Sequence, residues 1–397
     1  MRLRVSAAAL IAIALTGRPS LSNLYADSPA VHLRQPLPTT IRVCLMHAKR
    51  PVRLGCTGSY DFMLLAGGRV GSSKRMQTVA PAGRHSITLG HTRYNGDVLV
   101  APVQPDDYLT VNGRRYRGAL ILEPAGSGRF DVVEQLDFEE YLYGVLPREM
   151  GPDWPIEALK AQAVVSRTYV LANRGGGRYD IASDVSAQVY GGLEDESPAA
   201  TQAVRATRGQ VLVDKRGDPI QAFFHSSCGG QTEIPKNVWN ADSSWDYFTS
   251  VKDPYCQDDP FYHWRWAVSA ARLEAKLRRA GIRVGAIRKI QAAQKSPSGR
   301  VRTFLIVGSR RKATLAGNRF RLAVGPEALR STLITSISTS RTGFRFEGRG
   351  WGHGIGLCQY GARGRANAGI RYDDIVKAYY PDTYLVQGYT GEPVSRQ

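Results

Sequence analysis

Apolar and small residues occupy nearly every face of residues 156–172, and the stretch contains neither Gly nor Pro. Pro155 precedes it, in a first-turn position where a missing N–H costs little. The pattern predicts a long helix that is enclosed on most sides. Ala158, Ala161 and Ala163 allow close backbone approach, while Lys160, Gln162, Ser166 and Arg167 interrupt faces that otherwise look buried. Lys160 and Arg167 are almost two turns apart and point the same way. Buried cations need anionic partners. The nearest candidate is Glu149, in the Pro147-Arg148-Glu149-Met150 turn that leads into the helix.

Before this helix the periodicity is that of short strands, at 41–45, 60–65, 85–89 and 97–103. Asn112-Gly113, between 108–111 and 116–122, marks a hairpin because both residues tolerate positive φ. A turn at 124–128 leads to a strand at 130–133. After the helix, Ser197-Pro198 opens a second helix that Gly209 closes. Residues 210–213 and 220–225 read as a hairpin, 269–280 as an amphipathic helix stopped by Gly281, and 287–293 and 303–307 as strands. Residues 334–338 and 343–347 return the chain to the core, and further helices start at Gln359 and Asp373. No internal repeat is present. The predicted class is α+β: mixed sheets and hairpins around a central Ala-rich helix, with a β-rich N-terminal domain.

The formal net charge of +19 over 397 residues suits a protein that works on an anionic polymer. Nucleic acid is the usual partner of such a chain, but no nucleic-acid motif is recognisable. Arg2 and Arg4, the apolar run 5–15, and small residues at Ser20 and Ser22 predict a signal peptide over 1–22, cleaved at 22–26. Its apolar run is too short to span a bilayer comfortably, and no stable membrane span is expected after cleavage. Export to the periplasm or cell wall moves the expected partner from nucleic acid to the wall polymer.

Two stretches carry candidate chemistry. Near the organising helix the chain reads EEYLYGVLPREM and then WPIEALKAQAVVSRTYVLA; much later it reads GRGWGHGIGLCQYGARGRANAGIRYDDIVKAYYP. The glycines that alternate through 348–356 let a substrate or another backbone segment approach closely. They fit neither a P-loop nor a dinucleotide fingerprint, and no Lys-Ser/Thr pair follows. Between them, residues 225–233 form a Ser/Gly-rich loop. Its hydroxyls and bare amides suit sugar recognition, and equally a tight turn with local side-chain bonds.

Both long stretches, in this order, resemble the stage II sporulation protein D and amidase-enhancer (SpoIID/LytB) family. The resemblance runs from about Tyr116 to Tyr384 and is weak before Tyr116; with the strand pattern that residues 27–115 show by themselves, a domain division is expected. Residues 27–115 would be a linker and β-rich N-terminal domain, with a wall-binding or scaffolding role. Residues 116–260 would be the catalytic core, 261–330 a basic α/β subdomain, and 331–390 the C-terminal part of the core with the GHGIGLCQYGA motif. The activity implied is that of a peptidoglycan lytic transglycosylase, cutting glycan strands stripped of stem peptides between MurNAc and GlcNAc with a 1,6-anhydro product. Its catalytic acid maps to Glu149. Substrate-binding roles fall on Lys160, Gln162, Arg167, Ser226, Ser227, His353, Gln359 and Tyr360. One carboxyl suffices for such chemistry, whereas ordinary glycoside hydrolysis takes two. Asp137, Glu139, Glu140 and Asp153 are near Glu149 in sequence.

To act as an acid near neutral pH, Glu149 needs a raised pKa, which burial supplies and a close cation opposes. Lys160 and Arg167 are therefore expected to hold substrate or another carboxylate. The alternative reading is a non-catalytic wall-binding protein that enhances a separate cell-wall amidase, the second candidate partner.

No cofactor is expected, and no metal. Some relatives carry Cys and His ligands just before Gln-Val-Tyr, and here residues 181–187, ahead of Gln188-Val189-Tyr190, offer no soft ligand. His225, Cys228, Cys256 and His263 form a weaker alternative set. In an exported chain a Cys228–Cys256 disulfide is expected instead, with Cys44–Cys56 as a second pair. Cys358, where the family commonly has Ser, is then the odd thiol.

Overall fold

The computed structural model describes residues 31–126, 128–183, 188–239 and 245–389. The signal-peptide expectation and residues 184–187 lie outside them. Eight helices are present among the described residues: α1 (Phe138–Glu149), α2 (Ile156–Asn173), α3 (Pro198–Ala206), α4 (Pro235–Trp239), α5 (Ala270–Arg279), α6 (Gly317–Val324), α7 (Gln359–Asn367) and α8 (Tyr372–Tyr379). None is long and apolar enough to cross a membrane. With the sheets described below, the fold is α+β, and its N-terminal region is β-rich.

A seven-stranded sheet runs in the order Ile181–Ala182, Thr40–Ala48, Arg129–Asp137, Ala119–Gly126, Val98–Pro102, Tyr60–Leu64 and Arg69–Ser73. It thus takes strands from both sides of residue 116. A six-stranded sheet contains the Asn112-Gly113 hairpin, with φ of 53° and 88° at its tip. Both sheets and α1 to α3 share one hydrophobic core, so the N-terminal strands are not packed as a separate unit. A second core spans Trp264 to Phe346. It includes strands Ile334–Thr339 and Gly343–Arg349, which pair with each other and, through the latter, with His263–Ser269. These two strands were expected to rejoin the main core. They do not, because their inward residues Phe344 and Phe346 pack on α6 and its neighbours.

Gln210–Val213 makes a short return contact at Pro219, but its ladder partner is the C-terminal strand Tyr384–Gln387. Of residues 220–225, only Phe224–His225 is extended and paired, in parallel with Leu357–Cys358. The expected hairpin is therefore replaced by two pairings that bring the end of the chain onto its middle.

The most informative departure is α1. Residues 147–150 do not form a free-standing turn; they complete a helix that starts directly from strand Arg129–Asp137. Asp137 caps it, accepting from the N–H groups of Glu139 and Glu140 at 2.8 and 3.1 Å. Phe138, Tyr141, Leu142, Val145 and Leu146 form the buried stripe expected of a helix face. Gly144 and Pro147 disguise this pattern in the sequence. Gly144 is needed because a Cβ there would stand 2.7 Å from the Tyr190 ring.

α2 is the centre of the fold, as predicted, and packs against α1, α3, α7, α8 and strand Gln210–Val213. Its fully buried Arg167 meets several of these elements at once. Nε and Nη2 donate to the Glu139 carboxylate at 2.9 and 2.6 Å, Nη1 donates to the Gln210 carbonyl at 3.1 Å, and Nη2 also reaches the Val204 carbonyl at 3.3 Å. Glu139 accepts in addition from the Gly209 N–H and the Tyr389 hydroxyl. Removing one member of such a pair leaves the other charge buried without compensation, at a cost of about 3–5 kcal/mol. Arg167→Ala should lower the free energy of unfolding by that order in urea titrations. An unchanged urea midpoint would contradict this structural role.

Candidate active site

Glu149 occupies the last turn of α1 and is half-buried. Burial pushes its carboxyl up to about 7, while hydrogen bonds from the Gln359 side chain and the Val189 N–H pull it back. The negative end of the helix dipole acts in the same direction as burial. Among the described residues, no cation and no second carboxylate contributes to the shift. Tyr141 and Tyr169 are close enough for the Glu149 charge to raise their own phenol pKa values, although burial is the larger cause for both. A protonated carboxyl at near-neutral pH, held by a neutral amide, is what a general acid requires.

Gln359 is delivered by the second motif. Gly350, Gly352, Gly354 and Gly356 all have positive φ, between 68° and 115°. A Cβ on Gly356 would stand 2.0 Å from the Phe223 carbonyl oxygen, and one on Gly354 2.5 Å from the Arg300 guanidinium. The alternation therefore serves the approach of another backbone segment. Bridges Ser227–Trp351 and Glu233–Ile355, with the parallel pair Phe224–His225 and Leu357–Cys358, lay this segment along residues 223–233. The crossing fixes where α7 begins. Cys358 caps that helix, with Sγ accepting from the Gly361 N–H at 3.3 Å, and Gln359 is its first residue.

An aromatic shelf flanks the carboxyl. Tyr360 meets Trp154 edge-on at 5.0 Å, and the Arg363 guanidinium lies 5.3 Å from the Trp154 ring centroid. Tyr169, whose phenol feels the Glu149 charge, contacts Phe223 at 6.3 Å, and Phe223 leads to Trp239 at 4.7 Å. His353 joins this wall, 5.3 Å from Trp239 and 6.2 Å from Phe223. Its Nδ1 accepts from the Ile355 N–H at 3.0 Å, and the ring also bonds the Phe224 backbone. Burial, then Arg321 and Arg300, hold its pKa down to about 3. His353 is thus a neutral, pinned part of the wall.

Glu149 meets Gln359 directly and Tyr360 follows on α7, whereas His353 connects to them only through Phe223 and Tyr169; other expected residues do not join them. Arg167 is enclosed with Glu139 and does not reach the cleft. Lys160 does share its helix face, as the spacing predicts, but donates to Glu157 at 2.8 Å and stacks over Tyr372. Neither cation clamps Glu149, as the pKa argument required. Gln162 is fully buried and donates to Ser166 at 3.0 Å, and Ser227 is fully buried beneath Trp351. Ser226 is half-buried, and its carbonyl accepts from the Tyr360 N–H, so it positions α7 through its backbone. Neither of the loop's two readings describes residues 226 and 227, whose backbones bond the distant Tyr360 and Trp351. Trp154, Tyr169, Phe223 and Trp239 were missed. A Trp inside the Gly/Pro-rich turn 151–155 was the available signal for the first.

The cysteines also depart from expectation. All five are free thiols. Cys228 and Cys256 Sγ lie 3.5 Å apart, well beyond a bond of about 2.0 Å. Cys358, expected to be the odd thiol, shares their cluster with Asp253. Cys44 and Cys56 sit on different sheets, Cys44 beside His47 and Cys56 donating to the Ser59 carbonyl. His263 is exposed, and His225 bonds the Ile355 carbonyl, so neither completes the site first considered.

A family model described as "Stage II sporulation protein" matches residues 126–213, and one described as "Domain of unknown function (DUF8618)" matches 235–356. Over 287 residues the chain is 34% identical to an uncharacterized protein of Brachyspira hyodysenteriae, covering 71% of this chain and 75% of that protein. It is 31% identical over 276 residues to stage II sporulation protein D of Bacillus subtilis, covering 64% and 75%. It is also 30% identical over 337 residues to the amidase enhancer of Bacillus subtilis, covering 71% of this chain and 46% of the relative.

The raised pKa has a thermodynamic consequence. A carboxyl that titrates near 7 when folded, against about 4.5 when exposed, gives stability that is present at low pH and is lost as pH rises through about 7. Glu149→Gln cannot titrate, so its stability relative to the parent should improve between pH about 4.5 and about 7 and then level off. Urea midpoints of both proteins across that range check this; a constant difference would place the Glu149 pKa in the ordinary range.

Proposed function

The chain belongs to the stage II sporulation protein D and amidase-enhancer family, and from this we propose that it is a peptidoglycan lytic transglycosylase with Glu149 as its single acid and base. The observation that carries the reading is the isolation of that carboxyl. Asp137, Glu139 and Glu140 lie at the opposite end of α1, a helix of 12 residues and about 18 Å. Each is committed elsewhere: Asp137 caps the helix, Glu139 pairs with Arg167, and Glu140 faces Arg117 at 3.5 Å. Asp153 is exposed in the turn beyond. A two-carboxylate hydrolase needs its partner about 5–9.5 Å away.

In the proposed cycle, protonated Glu149 donates to the oxygen between MurNAc and GlcNAc as that bond breaks. The resulting carboxylate accepts the proton of the muramyl 6-hydroxyl, whose oxygen closes on C1. Atoms and charge balance with no water consumed, and Glu149 ends as it began. Gln359 donates to the carboxyl in both states, so it orients the group without fixing its protonation. The Trp154–Tyr360 pair and the Phe223–Trp239 pair offer apolar faces for sugar rings.

The relative named amidase enhancer favours a second reading, in which the same cleft holds glycan for a separate wall amidase. Digestion of peptide-free glycan strands, with products weighed by mass spectrometry, separates the two. The lytic reading predicts anhydro-muramyl ends from the parent, none from Glu149→Gln, and glycan binding retained by both. Absence of cleavage by the parent, with amidase stimulation equal in parent and variant, would support the enhancer reading. Full activity of Glu149→Gln would remove Glu149 from the chemistry.

A further inference from the structure

Three thiols and one carboxylate from distant parts of the chain converge beneath the start of α7. Cys228 lies in the loop that follows strand Phe224–His225, Asp253 and Cys256 bracket a single helical turn, and Cys358 is the α7 cap. All four residues are buried, and their ligand atoms lie within 4.8 Å of one another. The Cys228 and Cys256 sulfurs are 3.5 Å apart, and Cys228 Sγ is 3.5 Å from Asp253 Oδ2. Four donors on a tetrahedron with Zn–S of about 2.3 Å and Zn–O of about 2.0 Å have edges of about 3.5–3.8 Å.

The surroundings are built for anionic sulfur. Cys358 Sγ accepts from the N–H groups of Cys228 and Gly361 at 3.2 and 3.3 Å, and the N–H groups of Gly229 and Gly230 are directed at Cys256. Asp253 Oδ2 accepts from the Tyr379 hydroxyl at 2.6 Å, which orients the carboxylate as an outer partner orients a metal ligand. Two cations are placed beside the cluster. The Arg365 guanidinium lies 3.5 Å from Asp253 Oδ1, and buried Arg300 bonds the Cys228 carbonyl at 2.6 Å. Among the described residues Arg300 Nε and Nη1 have no hydrogen-bond partner, and the negative groups near this buried cation are the cluster and Glu233. Three thiolates, one carboxylate and one divalent cation sum to two negative charges, which Arg300 and Arg365 balance.

We propose that Cys228, Asp253, Cys256 and Cys358 bind one zinc ion in a closed, structural site. This replaces the sequence-based expectation of a metal-free chain, and it stands independently of the glycan chemistry. The soft thiolate set selects zinc over magnesium or calcium, and four protein ligands leave no open position for catalysis. The ion would staple the Cys228 loop, the 253–256 turn and the first residue before Gln359, and so set the height of Gln359 over Glu149.

The test is metal analysis of the full chain, expressed with zinc and purified without chelator, followed by exchange to cobalt. Expected are one zinc per chain, thiolate-to-cobalt charge-transfer bands with intense tetrahedral d–d bands, and Cys228, Cys256 and Cys358 protected from thiol reagents until a chelator is added. Cys256→Ser and Asp253→Asn should lose or weaken the metal and melt at lower temperature, while Cys44→Ser keeps it. If either ligand variant unfolds outright, the cobalt spectrum of the parent still decides. Absence of metal with no uptake of added zinc under reducing conditions would overturn the proposal. So would a Cys228–Cys256 disulfide in the isolated protein, or full zinc occupancy in both ligand variants.

Discussion

The buried pair of Glu139 and Arg167 is the contact on which the rest of the arrangement depends. It joins α1 to α2, and through the carbonyls of Val204 and Gln210 it ties both to α3 and the strand beyond. Each of the three guanidinium nitrogens donates to these partners, and such compensation is the condition under which a buried charge pair is tolerated. With the first turn of α1 fixed in this way, its last turn carries Glu149 toward α7. The pair also removes a cation from consideration at the site. Arg167 neutralised by Glu139, and Lys160 neutralised by Glu157, leave the Glu149 carboxyl without a positive neighbour among the described residues, and burial is the largest influence on its protonation.

The second motif supplies the complementary constraint. Side chains at Gly354 and Gly356 would collide with Arg300 and Phe223, so the crossing of 349–358 over 223–233 exists only with glycine there. That crossing sets the first residue of α7, and the first residue of α7 meets Glu149. Two segments about two hundred positions apart in sequence thus control one hydrogen bond. The four-ligand cluster lies under the same crossing, so the proposed ion and the acid share a support.

How much of this was legible in the sequence differs by element. α2, the Asn112-Gly113 turn and the Ser197 cap follow local rules and are found where those rules put them, but the second arm of the hairpin is Arg114–Tyr116, and 119–126 joins the seven-stranded sheet instead. α1 was hidden because Gly144 and Pro147 break the periodic pattern that Tyr190 packing then rescues. The partner of Gln210–Val213 was hidden because the competing strand lies at the far end of the chain, where turn chemistry carries no information. Among site residues, Glu149 and Gln359 were marked by the resemblance and meet in space. Arg167 was misassigned to the cleft, since spacing shows which way a side chain points but not what it faces. The pairing of cysteines failed for a similar reason: separation along the chain does not reveal a third sulfur brought from 102 residues beyond Cys256.

The central claim is that one carboxyl, raised by burial, performs both proton transfers. The most direct measurement is the titration of Glu149 itself, by NMR of isotope-labelled glutamate carboxyl groups, with Glu149→Gln used to assign the resonance. A midpoint of about 7 is expected. A midpoint in the ordinary range near about 4.3 would leave Glu149 ionised at neutral pH and would contradict it.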